Sequence, residues 1–349
     1  MAANLAAVAR RLLWASLVLA PVAIVADYGL HLGATTLFML SAAALIPLAW
    51  LIGEATEHAA QHTGPGVGGF LNASFGNAPE LIIALFAVAD GLPNVVRGTI
   101  AGSVVSNILL VLGIAMIFGG TGRVDARSLR WQLAAVFGAM VLLLFPSIPR
   151  WVGGTSRHSL YLVTLPVAFV LLVVYLVITI RNLRIHREAP RAAASESAWS
   201  FGRSLAWLAI ATTATALVSE ILVHSLEEFG HAVGLNEFFI AAVIVAIVGN
   251  AAEHGGAVVI AHRGDTVLAT EIAITSSMQV AVFVAPAVAL LSWLVGDGLP
   301  LSFRVIEVVT MAAAAAFAAV VVWDGTSKRW EGFLLVGVYA GVVVAYFFS

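Results

Sequence analysis

Gly76-Asn77-Ala78-Pro79-Glu80 and Gly249-Asn250-Ala251-Ala252-Glu253 are two copies of one pattern, Gly-Asn-Ala-x-Glu, and the second lies 173 residues after the first. The same shift carries Ser103 to Ser276, Ser106 to Gln279 and Glu54 to Glu227. One offset that serves several separate segments marks an internal repeat, so the chain reads as two similar halves.

The medium around those halves follows from composition. The 349 residues are 61% hydrophobic and 10% charged, with a mean hydropathy of +1.01, whereas soluble domains run near a quarter charged. Apolar stretches long enough to cross about 30 Å of hydrocarbon recur along the whole length. Residues 159–180 and 272–296 contain no Asp, Glu, Lys or Arg. The absence of cysteine removes disulfide, thiolate-metal and thiol redox chemistry. The apolar run after Arg10 and Arg11 reaches Asp27 without a small-x-small cleavage site, so it reads as a retained helix rather than a signal peptide.

Cutting at charges and at Gly/Pro clusters gives an all-α polytopic membrane protein of eleven helices, near 12–28, 34–51, 69–89, 97–118, 131–148, 159–180, 204–223, 236–261, 267–293, 305–323 and 331–348. With the N-terminus in the cytoplasm, 13 of the 17 basic residues fall on one side: Arg10, Arg11, Arg123, Arg127, Arg130, Arg181, Arg184, Arg187, Arg191, Arg203, Arg263, Lys328 and Arg329. Arg97, Arg150, Arg157 and Arg304 fall on the other. The positive-inside rule then predicts a cytoplasmic N-terminus and an outside C-terminus. The aromatic residues, scattered through spans and their ends, read as lipid-facing or interfacial anchors. Residues 1–33 hold an extra helix, 34–180 the first five-helix repeat, 181–203 an Arg-rich cytoplasmic linker, and 204–349 the second repeat. Because five is odd, the second repeat is inverted. Inverted repeats with Gly-interrupted helices are the architecture of secondary transporters, with the binding site at the interruptions.

Glu80 and Glu253 fall near mid-span, where an ionised carboxylate costs at least ~2.5–3.5 kcal/mol. Each must hold a proton or face a cation, and a pair able to do either is the minimal machinery of exchange. Gly76, Asn77, Gly249 and Asn250 weaken the helix just before each carboxylate and turn carbonyls toward the site, and Pro79 is expected to free one more. Carboxylates, carbonyls and amides are hard oxygen ligands suited to Ca²⁺, with Mn²⁺ also accommodated. Ser103, Ser106, Asn107, Ser276, Ser277 and Gln279 put polar groups at helical spacing in apolar spans, either lining the pathway or gluing helices together. Glu54 and Glu57 at the inner end of the second helix, and Glu227 and Glu228 at the outer end of the seventh, read as acidic mouths or as solvated helix ends. Glu220, Glu271 and Glu307 read as pathway or helix-pairing groups. His254, beside Glu253, reads more as a hydrogen-bond partner or proton neighbour than as a metal ligand, because the His-Glu-x-x-His spacing is absent.

Taken together, Gly76 to Ile82 and Gly249 to His254 resemble the motifs of the calcium/cation antiporter superfamily, in its calcium/proton exchanger branch. Gly102-Ser103-Val104-Val105-Ser106-Asn107, Ser219-Glu220-Ile221-Leu222-Val223 and Ser276-Ser277-Met278-Gln279 are similar as well, and the resemblance covers nearly all of residues 10–348. It implies a proton-driven exchanger in which Glu80 and Glu253 bind Ca²⁺, with Asn77 and Asn250 in support. Pro79 departs from the Thr or Val often found there. The linker carries only Glu188 and Glu196 against five arginines, which speaks against calcium sensing by that segment. The expected substrates are Ca²⁺ and protons, with no cofactor, no nucleic acid, and the lipid bilayer as surroundings. High Ala and Arg usage over Lys points to the inner membrane of a prokaryotic cell. Na⁺/Ca²⁺ exchange and Mn²⁺ or monovalent cation/proton exchange are rival readings within the same architecture. An intramembrane enzyme would need a nucleophile or metal triad that the sequence does not offer.

Overall fold

In hydrocarbon every backbone amide needs an internal partner, and this chain meets that demand almost entirely with helices. The computed structural model describes residues 2–153, 156–186 and 199–349. Helices α1 (Ala2–Ser16) and α2 (Leu19–Tyr28) precede a long α3 (Ala34–Phe75), which is followed by α4 (Ala78–Ala89). Next come α5 (Pro93–Gly119), α6 (Ala126–Trp151) and α7 (Arg157–His186). The second half holds α8 (Phe201–Val233), α9 (Glu237–Gly249), α10 (Ala251–His262), α11 (Thr266–Val295), α12 (Val305–Val321) and α13 (Arg329–Phe347). Most of the expected linker 181–203, with Arg187, Glu188, Arg191 and Glu196, lies outside the described residues.

Several expected boundaries move. By length and apolar composition eight of the described helices can cross a membrane, and α9 with α10, bent by 57°, makes a ninth. The shorter apolar helices α4 and α12 stand where the third and tenth spans were expected, so length alone does not reproduce the count of eleven. Residues 52–68, expected as a break between two spans, are helical within α3. The charges that suggested a helix end there are compensated: Arg10 Nη2 lies 2.5 Å from Glu54 Oε1, and His58 Nε2 lies 3.6 Å from the same oxygen. The His58 ring stacks on Trp199 at 4.6 Å. Likewise α8 runs about three turns past the expected end at 223, to a left-handed Gly234 at φ 72° that closes it. Glu54, Glu57, Glu227 and Glu228 therefore sit inside helices rather than at their ends.

Among the described residues one element is not helical. Strands β1 (Gly122–Arg123) and β2 (Thr326–Ser327) pair antiparallel and tie the loop after α5 to the loop after α12. On the opposite end of the bundle, Arg150 donates to the Ser302 carbonyl at 3.0 Å and the Trp151 indole donates to the Phe303 carbonyl at 2.8 Å. Close by, the wholly buried Glu307 accepts from Arg304 Nε at 2.5 Å, and its other oxygen lies 3.7 Å from Arg97 Nε. Glu307 is thus a helix-pairing group, joining α12 to α5 across the two halves.

Candidate functional site

Each Gly-Asn pair ends one helix and starts another. Asn77 has φ −97°, ψ 15° and Asn250 has φ −89°, ψ 9°, so both copies leave the α region at the same residue and in nearly the same way. Glu80 and Glu253 are consequently the third residues of α4 and α10, in first turns whose exposed amides favour negative charge. This changes the reading of Pro79. It does not interrupt a running helix but occupies the first turn of a new one, where the missing N–H costs nothing. Ala252 takes the same second position in α10, so the Pro79/Ala252 difference leaves the backbone geometry of the two breaks alike.

The two carboxylates come together across the halves. Glu80 is 2% exposed and lies over the second motif: a methyl group on Gly249 would be 3.7 Å from Cγ and Oε1 of Glu80. Glu253 lies within electrostatic reach of it. Glu80 Oε2 is buried without a hydrogen-bond partner among the described residues, and neither glutamate forms an ion pair with a described Lys, Arg or His. Glu253, which is half-buried, accepts a hydrogen bond from the Ser276 hydroxyl.

A chain of amides and hydroxyls fixes that pair. Asn107 Nδ2 donates to Asn250 Oδ1 at 3.1 Å and to Ser276 Oγ at 2.9 Å, while its Oδ1 lies 3.1 Å from His254 Nε2, which must donate there. Asn250 Nδ2 donates to Ser103 Oγ and to the Ala246 carbonyl, both at 2.8 Å. In the other half Asn77 Nδ2 donates to Gln279 Oε1 at 2.8 Å. The asparagine of each motif is therefore held by a helix of the other half, α5 for Asn250 and α11 for Asn77. His254 is a hydrogen-bond neighbour of Asn107 rather than of Glu253.

Other candidates do not join. Ser106 Oγ donates to the Ser103 carbonyl at 3.3 Å within its own helix, and Ser277 Oγ donates to the Val104 carbonyl at 2.6 Å, so only Ser277 ties two helices together. Glu57 is exposed, Glu227 is largely exposed with His231 4.0 Å away, and Glu220 lies beside Tyr28. Two features escaped the sequence. Gln132 of α6 donates to Glu271 Oε2 at 2.6 Å and accepts from Thr275 Oγ1 at 2.7 Å. Helices α5 and α11 also widen into π turns at the equivalent places Ser106–Val111, which holds Asn107, and Val280–Val284, which follows Gln279. No sequence signal marks a π turn. Gln132 stood alone in its span and outside every repeated pair.

Among the described residues no three His, Asp or Glu groups gather as a resident metal centre. The site offers two carboxylates with oxygens of amides and hydroxyls beside them, a hard donor set for a cation that comes and goes. The family model described as sodium/calcium exchanger protein matches residues 33–184 and 203–348. A Ca(2+)/H(+) antiporter of Aphanothece halophytica is 34% identical over 348 residues, covering 91% of this chain and 92% of the relative. The Ca(2+)/H(+) antiporter ChaA of Bacillus subtilis is 34% identical over 333 residues, covering 91% and 93%. Among solved structures, native YfkE superposes with a TM-score of 0.81 at 30% identity, covering 95% of this chain and 97% of that one. The H+/Ca2+ exchanger CAX shares the fold, with a TM-score of 0.76 at 16% identity over 97% and 92% of the two chains. With a broken helix in each half, a carboxylate at each break and a family match over both stretches, the chain belongs to the sodium/calcium exchanger family of membrane transporters.

Proposed function

We propose that this protein exchanges Ca²⁺ for H⁺ across a membrane by alternating access, with Glu80 and Glu253 taking up either the cation or protons. The observation that carries the reading is the convergence of two carboxylates from the two halves, Glu80 buried and Glu253 half-buried, without a basic side chain among the described residues to neutralise them. Such a pair is stable as protonated acids or around a divalent cation, and each loading displaces the other. The Asn107 network supports this role by holding Ser276 and Asn250 in place. The relatives named as Ca(2+)/H(+) antiporters support the choice of cargo.

In this reading residues 34–180 and 204–349 are inverted repeats, and the N-terminus faces the cytoplasm of a prokaryotic cell. The β1–β2 pairing supports that orientation by bringing the Arg123 and Lys328 loops together at one end, while Arg97, Arg150 and Arg304 collect at the other. Purified protein in sodium-free liposomes with an acidic lumen tests the function. Ca²⁺ should accumulate inside as protons leave. Uptake that requires Na⁺ instead of the pH gradient would replace the proton with sodium.

A further inference from the structure

The offset of 173 that aligns the two motifs also aligns Gly98 with Glu271 and Gly102 with Thr275, and the two halves treat these positions in opposite ways. Gly98 and Gly102 are buried against α9, the half-helix that leads into Asn250. A methyl on Gly98 would stand 2.8 Å from the Phe238 carbonyl oxygen, and one on Gly102 would stand 2.0 Å from the Ala242 carbonyl oxygen. Backbone meets backbone there and nothing passes. On α11, Glu271 and Thr275 are half-buried, and together with exposed Leu268 and half-buried Gln279 they form one stripe at three- and four-residue spacing. The stripe starts about 3 Å along the axis from the helix start at Thr266, taking the 1.5 Å rise per residue, and ends on Gln279, which holds Asn77. By the repeat relation this stripe is the counterpart of the glycine face of α5, but its polar partner is Gln132 of α6 rather than a helix backbone.

We propose that Glu271 and Thr275 line the approach to the first motif on the open half of the molecule, with Glu271 as a specificity-determining carboxylate for the entering cation. Gln132 orients that carboxylate through Oε2, and its own carbonyl is held by Thr275. A negative charge on an approach route of low dielectric raises the local concentration of divalent cations. The inference takes its cargo from the exchange reading above, but the accessibility it claims is independent of that cargo.

The chain has no cysteine, so single-cysteine labelling in liposomes tests the placement. The Thr275→Cys and Glu271→Cys proteins should react with a charged, membrane-impermeant methanethiosulfonate, and Ca²⁺ should slow the reaction. Ala273→Cys, at a 1% exposed position on the other face, should stay unreactive, and exposed Thr121→Cys should react regardless of Ca²⁺. Glu271→Gln, which keeps a side chain of the same shape, should raise the apparent KM for Ca²⁺ on the order of three- to tenfold with Vmax within twofold. A Thr275→Cys protein as inert as Ala273→Cys, or an unchanged KM in Glu271→Gln, overturns the proposal. Labelling in a protein that neither transports nor is protected by Ca²⁺ would leave the pathway assignment standing and sink the exchange reading.

Discussion

The Ser277 hydroxyl donates to the Val104 carbonyl at 2.6 Å across a separation of 173 residues, the interval that relates Glu80 to Glu253 and Asn77 to Asn250. Two positions that are copies of each other touch, so the pseudo-symmetry axis of the halves passes between them. The carboxylates and asparagines of the site are arranged about that axis, and the site exists only where both halves are folded together.

Removing either carboxylate therefore removes half of a shared site. Glu80→Gln and Glu253→Gln should each abolish exchange in liposomes while the purified variants elute as folded protein at the wild-type volume. Transport retained by either variant would show that the other groups suffice.

Asn107 makes three side-chain hydrogen bonds in a fully buried setting. Asn107→Leu strips partners from Asn250, Ser276 and His254, and leaving such groups unpaired costs about 1–3 kcal/mol apiece. The midpoint of thermal unfolding should fall, and transport should fall further than for Ser106→Ala, whose hydroxyl bonds only within its own helix.

Glycines separate by what surrounds them. Gly102→Ala places a methyl 2.0 Å from the Ala242 carbonyl oxygen, and backbone cannot move aside cheaply, so a loss on the order of 1–3 kcal/mol or more is expected. Gly256 in α10 has nothing within 4 Å of the same point. There Gly256→Ala should raise stability by roughly 0.5–1 kcal/mol through helix propensity. Thermal denaturation of the two variants side by side checks both signs.

The buried Arg97–Glu307 pair should be costly to break and cheap to replace. Glu307→Gln leaves Arg97 without its counter-charge, at a cost of about 3–5 kcal/mol, whereas the double change Arg97→Met with Glu307→Leu should recover most of it. Expression and unfolding temperature report the difference. A double variant no better than Glu307→Gln would mean the charges themselves are required.

At the β1–β2 joint, the hydrogen bond from Lys328, reinforced by the Thr326 backbone and hydroxyl, holds the Asp324 carboxyl down at about 2. The folded value lies below the ordinary one of about 3.9, so this contribution is fully present above that pH and is lost as pH falls through 2. Pepsin cleavage of the loop between α12 and α13 should accelerate between pH 4 and pH 2. In Asp324→Asn that dependence should flatten.

How far these features could be read beforehand follows from their chemistry. Glycine and asparagine before a mid-span glutamate announce a broken helix, and both breaks fall where the two copies align. The end of α3 was misjudged because Glu54, Glu57 and His58 read as a solvated terminus, while Arg10 and Trp199, distant in sequence, cover Glu54 and His58. A two-residue strand such as β1 has no periodicity to detect. Of the site, Asn107 and Ser276 stood out as polar groups in apolar spans. The same argument could not tell them from Ser106 and Ser277, because a hydroxyl that binds a backbone carbonyl and one that binds a neighbouring side chain look alike in sequence. Gln132 showed nothing at all, since its partners outside its own helix are on α11.

The account rests on one carboxylate pair serving both ions, and proton release on cation binding measures that directly. Adding Ca²⁺ to wild-type protein in weakly buffered detergent solution near neutral pH should release protons, and the Glu80→Gln/Glu253→Gln double variant should release none. Saturable Ca²⁺ binding without proton release by the wild type, or undiminished release by the double variant, would contradict it.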